Sequence, residues 1–154
     1  MSLGWFSDIT DAEDYFGTER LETDAWDDLD SAQKPKVINQ AYNRLYYDPQ
    51  WILPTYAEAT AAQLVKLRIA NAEMAYYLAV HLEGEDHRKG LQAQGTIEAG
   101  VVKEKYSEDM LTTVPVPPAV AALLDEFADA GPYIGAANIA RDENEAVDAK
   151  VHEF

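Results

Sequence analysis

The segment from Thr55 to about His81 most restricts what this chain can fold into. Residues 59–80 read Ala-Thr-Ala-Ala-Gln-Leu-Val-Lys-Leu-Arg-Ile-Ala-Asn-Ala-Glu-Met-Ala-Tyr-Tyr-Leu-Ala-Val, a run rich in strong helix formers and free of glycine and proline. Leu64, Leu67, Ala70, Met74, Leu78 and His81 recur on one helical face. Thr55 with Glu58 supplies a capping box at the start, and Glu83-Gly84-Glu85-Asp86 is expected to break the helix. An amphipathic helix of this length has to bury its apolar stripe against other elements, and alanines on the neighbouring faces permit close approach. It is therefore expected to be the central core helix.

The flanking segments supply partners for it. Thr10-Asp11-Ala12-Glu13 is a second capping box, predicting a short helix through Asp14-Tyr15-Phe16 that ends at Gly17. Thr18 to Asp30 is strongly acidic, with Trp26 and Leu29 as its apolar anchors. Asp30 and Gln33 give another helix start, and Pro35 falls in or just after the first turn, where its missing N–H costs least. Val37, Ile38, Ala41 and Leu45 mark the buried face of that helix, which Asp48-Pro49 should stop. Gln50-Trp51-Ile52-Leu53-Pro54 reads as a packed apolar connector. Pro117-Pro118 opens a last helix, with Val120, Leu123, Leu124 and Phe127 on one side, ending near Gly131-Pro132.

Between the two later helices, Gly90 to Ile97 and Val101 to Tyr106 can run as the arms of a β-hairpin around Glu98-Ala99-Gly100. An isolated hairpin buries too little to be stable alone, and its edges suit strand addition between subunits. After Pro132 the apolar content is small and scattered, which predicts an extended arm that orders on contact with partners. The expected fold class is thus mainly α. It is a small helical bundle around one long central helix, with a protruding β-hairpin at about residues 90–106 and an extended C-terminal arm.

Composition narrows the chemistry. At 154 residues the chain makes one domain with a real core. Cysteine is absent, so disulfides, thiolate nucleophiles and sulfur-ligated metals are excluded. The N-terminal residues lack a basic region and a long apolar run, so no secretion signal is expected, and no segment approaches the roughly 18 apolar residues of a membrane span. Synthesis in the cytoplasm and no membrane partner follow as expectations. With 28 acidic against 12 basic residues the net charge is −16, a surface that repels phosphates. Such acidity fits solubility, a saline habitat, a partner with a basic docking face, or a channel wall along which DNA slides without sticking.

Four groups of residues invite a chemical reading. His81 and His87 lie near Glu83, Glu85 and Asp86, but the set straddles a helix end with a glycine inside it, unlike the compact spacing of a zinc site. A polar helix terminus, with His81 near the negative end of the dipole, is the plainer reading. Carboxylates abound from Asp8 to Asp30, as acid–base catalysis requires, yet no nucleophile accompanies them. Gly90, Gly95 and Gly100 recur every five residues and match neither phosphate-binding fingerprint. Tyr42, Tyr46, Tyr47 and Trp51 could stack bases, but with only Lys36 and Arg44 interleaved, a core or interface role fits better. No enzyme motif survives, and no catalytic residue, cofactor or metal is expected.

In order, these segments resemble the head–tail connector (adaptor, or head-completion) proteins of tailed bacteriophages, a group often labelled DnaT-like single-stranded DNA-binding proteins. Asp11-Ala12-Glu13-Asp14-Tyr15-Phe16 looks like the opening helix of that family, and Trp26 to Lys34 like the start of its second. Asn39 to Leu45 occupies its "Ala-Thr-x-Tyr-Leu" position, and Pro54 precedes the long Ala-rich helix as family prolines do. Gly90 to Gly95 through Tyr106, then Pro117-Pro118-Ala119-Val120 and Leu123-Leu124, look like its ending. The resemblance covers about residues 8–127, and order and spacing carry it. Glu98-Ala99-Gly100 departs from the Val-Gly turn of the family, and the acidic tail after Pro132 is long for it.

The resemblance implies a connector-like helical domain with a hairpin over residues 1–131 and an acidic arm over 132–154. Copies would assemble as a ring, a dodecamer to match the portal, at the head–tail junction of the virion. Its partners would be itself, the portal protein and the next neck or tail component, with DNA passing without sequence recognition. Ile97, Val101 and Val102 are the expected subunit contacts, and Tyr133, Ile134 and Phe154 the expected arm anchors. The alternative is a single-stranded DNA-binding accessory protein, for which Lys34, Lys36 and Arg44 are the one local basic cluster.

Overall fold

Asp8, and not Thr10, opens the first helix of the computed structural model, which describes residues 2–94, 98–99, 104–105 and 115–129. The Asp8 carboxylate accepts from the Asp11 N–H at 3.1 Å, and α1 runs Ile9–Thr18, straight through Gly17. Its buried side, Ala12, Tyr15 and Phe16, faces the bundle. A single turn, α2 (Asp24–Asp27), buries Trp26 beneath the acidic stretch. Phe16 stacks on Trp26 with ring centroids 4.1 Å apart.

The Asp30–Gln33 signal forms as read. The Asp30 carboxylate accepts from the Gln33 N–H at 2.7 Å, while the Asp30 N–H donates to the Gln33 side chain at 2.9 Å. Behind this lock α3 spans Gln33–Tyr46 and buries Val37, Ile38, Ala41 and Leu45, the four residues its period picks out. In the connector, Trp51 and Leu53 are buried and Ile52 points to solvent.

The long helix, α4, spans Ala61–Ala93 and at 33 residues is about 50 Å long. Two capping locks stand in series before it. The Thr55 N–H and hydroxyl both donate to the Glu58 carboxylate, at 3.1 and 2.8 Å, so this pair closes a turn in place of the expected helix start, and the helix starts from the second box, Thr60 with Gln63. Leu67, Ala70, Met74 and Leu78 are buried as expected, Leu64 is half-buried and His81 is exposed. α4 packs against α1, α2, α3 and α5, and so is the hub of the bundle.

The expected break at Glu83–Asp86 does not occur. Gly84 lies inside α4, and the next residue, Glu85, is buried and paired with Arg44 of α3 and with Lys89 one turn on. That ion-pair triad ties the helix down where glycine would loosen it. After residue 114 the last helix, α5 (Pro118–Leu124), starts at the Pro-Pro pair, and a 3₁₀ turn, Asp125–Phe127, ends it earlier than Gly131-Pro132. Val120, Leu124 and Phe127 are buried.

The expected hairpin at about 90–106 is overturned. Gly90 to Ala93, which should open its first arm, are the last turn of α4, because Leu91, Gln92 and Ala93 continue a helix that Gly84 failed to stop. Beyond it, Glu98–Ala99, the expected turn, instead lie against Glu104–Lys105, two residues a side. This short pairing supplies no strand to the bundle, so the fold is a small, mainly helical one of five helices among the described residues, without the protruding hairpin. The proposed extended arm, residues 132–154, lies outside the described residues.

The N-terminal segment contributes more core than its length suggests. Leu3 and Phe6 bond to each other across a tight turn, N–H to carbonyl at 2.9 and 3.0 Å. Trp5 and Phe6 are fully buried, and the Trp5 indole N–H donates to the Pro54 carbonyl at 2.8 Å. Burying two such aromatics contributes about 1.5–3 kcal/mol each.

Candidate docking groove

A groove of about 580 Å³ runs between the α1–α2 segment, the middle of α4 and the start of α5. Three local accidents of sequence build it. Trp26 turns inward to stack on Phe16, which leaves its neighbours Asp24 and Asp28 pointing to solvent on the rim. On α4, Tyr77 and Val80 fall between the buried positions Met74 and Leu78 and the open side. The Pro117-Pro118 start of α5 holds Pro117 and Ala119 against the opposite wall.

The end beside α1 is cross-tied by hydrogen bonds and an ion pair. Arg20 pairs with Glu73, donates to the Glu22 carbonyl at 2.8 Å, and lies 3.6 Å over the Tyr76 ring. The Tyr15 hydroxyl donates to the other Glu73 oxygen at 2.8 Å, and the Tyr76 hydroxyl donates to the Glu22 carboxylate. Burial first, and the Glu73 carboxylate second, push the Tyr15 phenol well above its ordinary value, so it stays a donor across the neutral range. The bond to Glu22, with burial behind it, raises Tyr76 in the same way. Glu73 is thus matched by Arg20. Glu22 meets only a neutral phenol, and Asp24 and Asp28 have no ion-pair partner among the described residues.

Large apolar side chains are exposed here as well. Val80 is 48% exposed in the groove, and Leu21, between the rim residues Arg20 and Glu22, is 102% exposed. Tyr47, Ile52 and Val65 are exposed elsewhere on the bundle.

The residues singled out from sequence fare differently. Ile97, Val101, Val102, Tyr133, Ile134 and Phe154 all lie outside the described residues. His81 sits on the groove with its ring 4.8 Å from Tyr77, and His87 is exposed. Among the described residues no cluster of three or more His, Cys, Asp and Glu side chains could hold a metal ion, and no helix is long and apolar enough to cross a membrane. Of the aromatic platform, Trp51 is buried, while Tyr42 and Tyr46 stack at 5.1 Å and Tyr42 packs edge-on to Trp5 at 4.6 Å. Only Tyr47 presents an open ring. The basic cluster is dispersed: Lys34 reaches Glu13 at 3.5 Å and lies over Trp26, and Arg44 grips Glu85 with both contacts at 3.1 Å.

Set against known proteins, the chain matches no family model, no curated protein and no solved structure. Sequence reasoning missed the groove because its walls come from three distant segments. The i, i+4 spacing of Asp24 and Asp28 around an inward Trp26 was the one signal that could have found its rim.

Proposed function

We propose that this protein works by assembly and not by chemistry, as a structural ring component at the head–tail junction of a tailed-phage virion. In this reading copies form a ring, dodecameric to match the portal, that extends the DNA channel and docks the next neck or tail protein. The observation that carries it is the surface: Leu21, Tyr47, Ile52, Val65 and Val80 stand exposed on a bundle whose core is already filled. Of these, Val80 in the groove and Leu21 beside its rim support the reading most, since apolar side chains exposed at a concave acidic surface suit an interaction protein. Supporting it, the motifs that carry the resemblance include core residues, with Tyr15, Phe16, Trp26, Ala41 and Leu45 buried. The acidic balance suits a wall that must not grip passing DNA.

The single-stranded DNA-binding alternative draws less support, since Lys34 and Arg44 are held in ion pairs and Trp51 is buried. Immunogold labelling of intact and opened virions with antibody to the recombinant chain tests the proposal. Gold confined to the head–tail junction is the expected result. Its absence from both preparations would overturn the reading, and binding to an oligo-dT strand would then favour the alternative.

A further inference from the structure

The groove beside α2 has the chemistry of a receptor for one kind of partner. Its floor is apolar where Tyr77 and Val80 face it, and Leu21 stands fully exposed beside the rim. The rim carries Glu22, Asp24 and Asp28, all exposed and none matched by a cation among the described residues. The one guanidinium present, that of Arg20, is neutralised by Glu73 and folded over Tyr76, so it offers nothing to an incoming anion. A phosphate, a nucleic acid or a carboxylate-rich peptide would meet repulsion here. A second copy of this chain, at −16, is a poor electrostatic match as well. An occupant gains most if it brings aliphatic or aromatic side chains to the floor and Lys or Arg to the rim.

We propose that this groove is a docking site for a cationic, apolar segment of a partner protein. The proposal goes beyond the connector reading and does not depend on it, since it names a face and a chemistry and not a virion position. The Arg20–Glu73–Tyr15 set ties α1 and the residues after it to α4, which favours an occupant binding a wall formed in advance. Charge complementarity sets the orientation and speeds encounter, and the apolar floor holds the segment.

The test uses the full chain, a fluorescein-labelled peptide of alternating leucine and lysine, and anisotropy at about physiological ionic strength, where long-range attraction is screened. The matched probe replaces each leucine by serine at the same charge. Tight binding is expected for the leucine peptide, and binding at least tenfold weaker for the serine one. The double variant Asp24→Lys, Asp28→Lys should weaken the leucine peptide at least tenfold. Asp14→Lys with Asp86→Lys changes the net charge equally but lies off the groove, and should shift affinity less than twofold. Val80→Ser should weaken it severalfold. If circular dichroism shows the lysine pair unfolded, Asp24→Asn with Asp28→Asn replaces it, with a loss of at least threefold expected. Equal losses from both charge-reversed pairs, equal binding of the two peptides, or no binding by the wild-type chain would each overturn the proposal. None of these outcomes bears on virion labelling, so the two readings fail separately.

Discussion

Two residues show how much a single position can hold. Gly4 adopts φ +59°, and a Cβ there would sit 2.5 Å from the Asn71 amide nitrogen and 3.1 Å from Tyr42 Cβ. Asn71 is fully buried, so its amide has to shift within the packed core to make room. Gly4→Ala therefore adds a left-handed backbone cost of about 1–2 kcal/mol to a steric one, and should lower stability by about 2 kcal/mol or more in urea denaturation. Removing the obstacle with Asn71→Ala should make the glycine substitution cheaper than in the wild-type background, the signature of a direct contact in a double-mutant cycle. The second residue is Glu85. Burial alone would raise its pKa, but the hydrogen bonds from Lys89 and Arg44, and their charges, outweigh it and hold the carboxyl below its ordinary range. A carboxyl with a depressed folded pKa contributes stability that is complete above its unfolded pKa and is lost as pH falls through the folded one. Glu85→Gln keeps one acceptor oxygen but leaves the Arg44 and Lys89 charges without their carboxylate, and should cost about 3 kcal/mol at pH 7. The gap between this variant and wild type, read from urea midpoints, should close as the pH drops below the ordinary carboxylate value. A gap independent of pH would show that packing, and not charge, makes the contact.

At the scale of the element, α4 is where local signals and tertiary contacts disagree. Gly84 reads as a stop, yet the helix passes through it for nine more residues. Apart from its chain neighbours and the backbone of its own helix turn, nothing lies within 4 Å of where a Gly84 Cβ would stand, so alanine fits without strain. Gly84→Ala should stabilise by about 0.5–1 kcal/mol through the unfolded chain, leaving the far-ultraviolet spectrum unchanged. If position 84 were a break, the same substitution would instead raise the helical signal. The contrast with Gly4→Ala is informative, since one glycine is required by its conformation and the other is merely tolerated. It also explains what was legible in the sequence. Val37, Ile38, Ala41 and Leu45 declared themselves by period, and Asp30 with Gln33 by chemistry, because both signals are local. The partner that holds α4 past Gly84 is Arg44, 41 residues upstream of Glu85, and no window of sequence contains both. Trp5 and Phe6 escaped notice for the complementary reason: they sit in a turn too short to show any period. The groove lies between these cases, its acidic rim readable from Trp26 and its walls assembled only by folding.

At the scale of the molecule, charge opposes compactness. Among the described residues, Arg20, Lys34, Arg44, Lys66, Arg68 and Lys89 are each in an ion pair, but the chain as a whole carries 28 acids against 12 bases. Exposed pairs such as Lys66–Glu126 contribute about 0–1 kcal/mol and act at short range. Repulsion among the unmatched carboxylates acts over many ångströms, and salt removes it first, since the Debye length shrinks from about 30 Å at 0.01 M to about 3 Å at 1 M. Adding sodium chloride should therefore stabilise the fold, raising Tm by a few degrees between about 0.02 and 0.5 M, as expected if screening recovers about 1–2 kcal/mol in a chain of this size. A Tm that falls with salt would mean that the ion pairs outweigh the repulsion. The same field governs assembly. Two copies at −16 repel before their apolar patches touch, so on the ring reading self-association should strengthen with salt while DNA remains unbound. Docking of a cationic segment in the groove should weaken over the same range. Sedimentation and anisotropy measured across one salt series would show these opposite slopes, and parallel slopes would mean that the groove and the self-association surface do not differ in charge as argued.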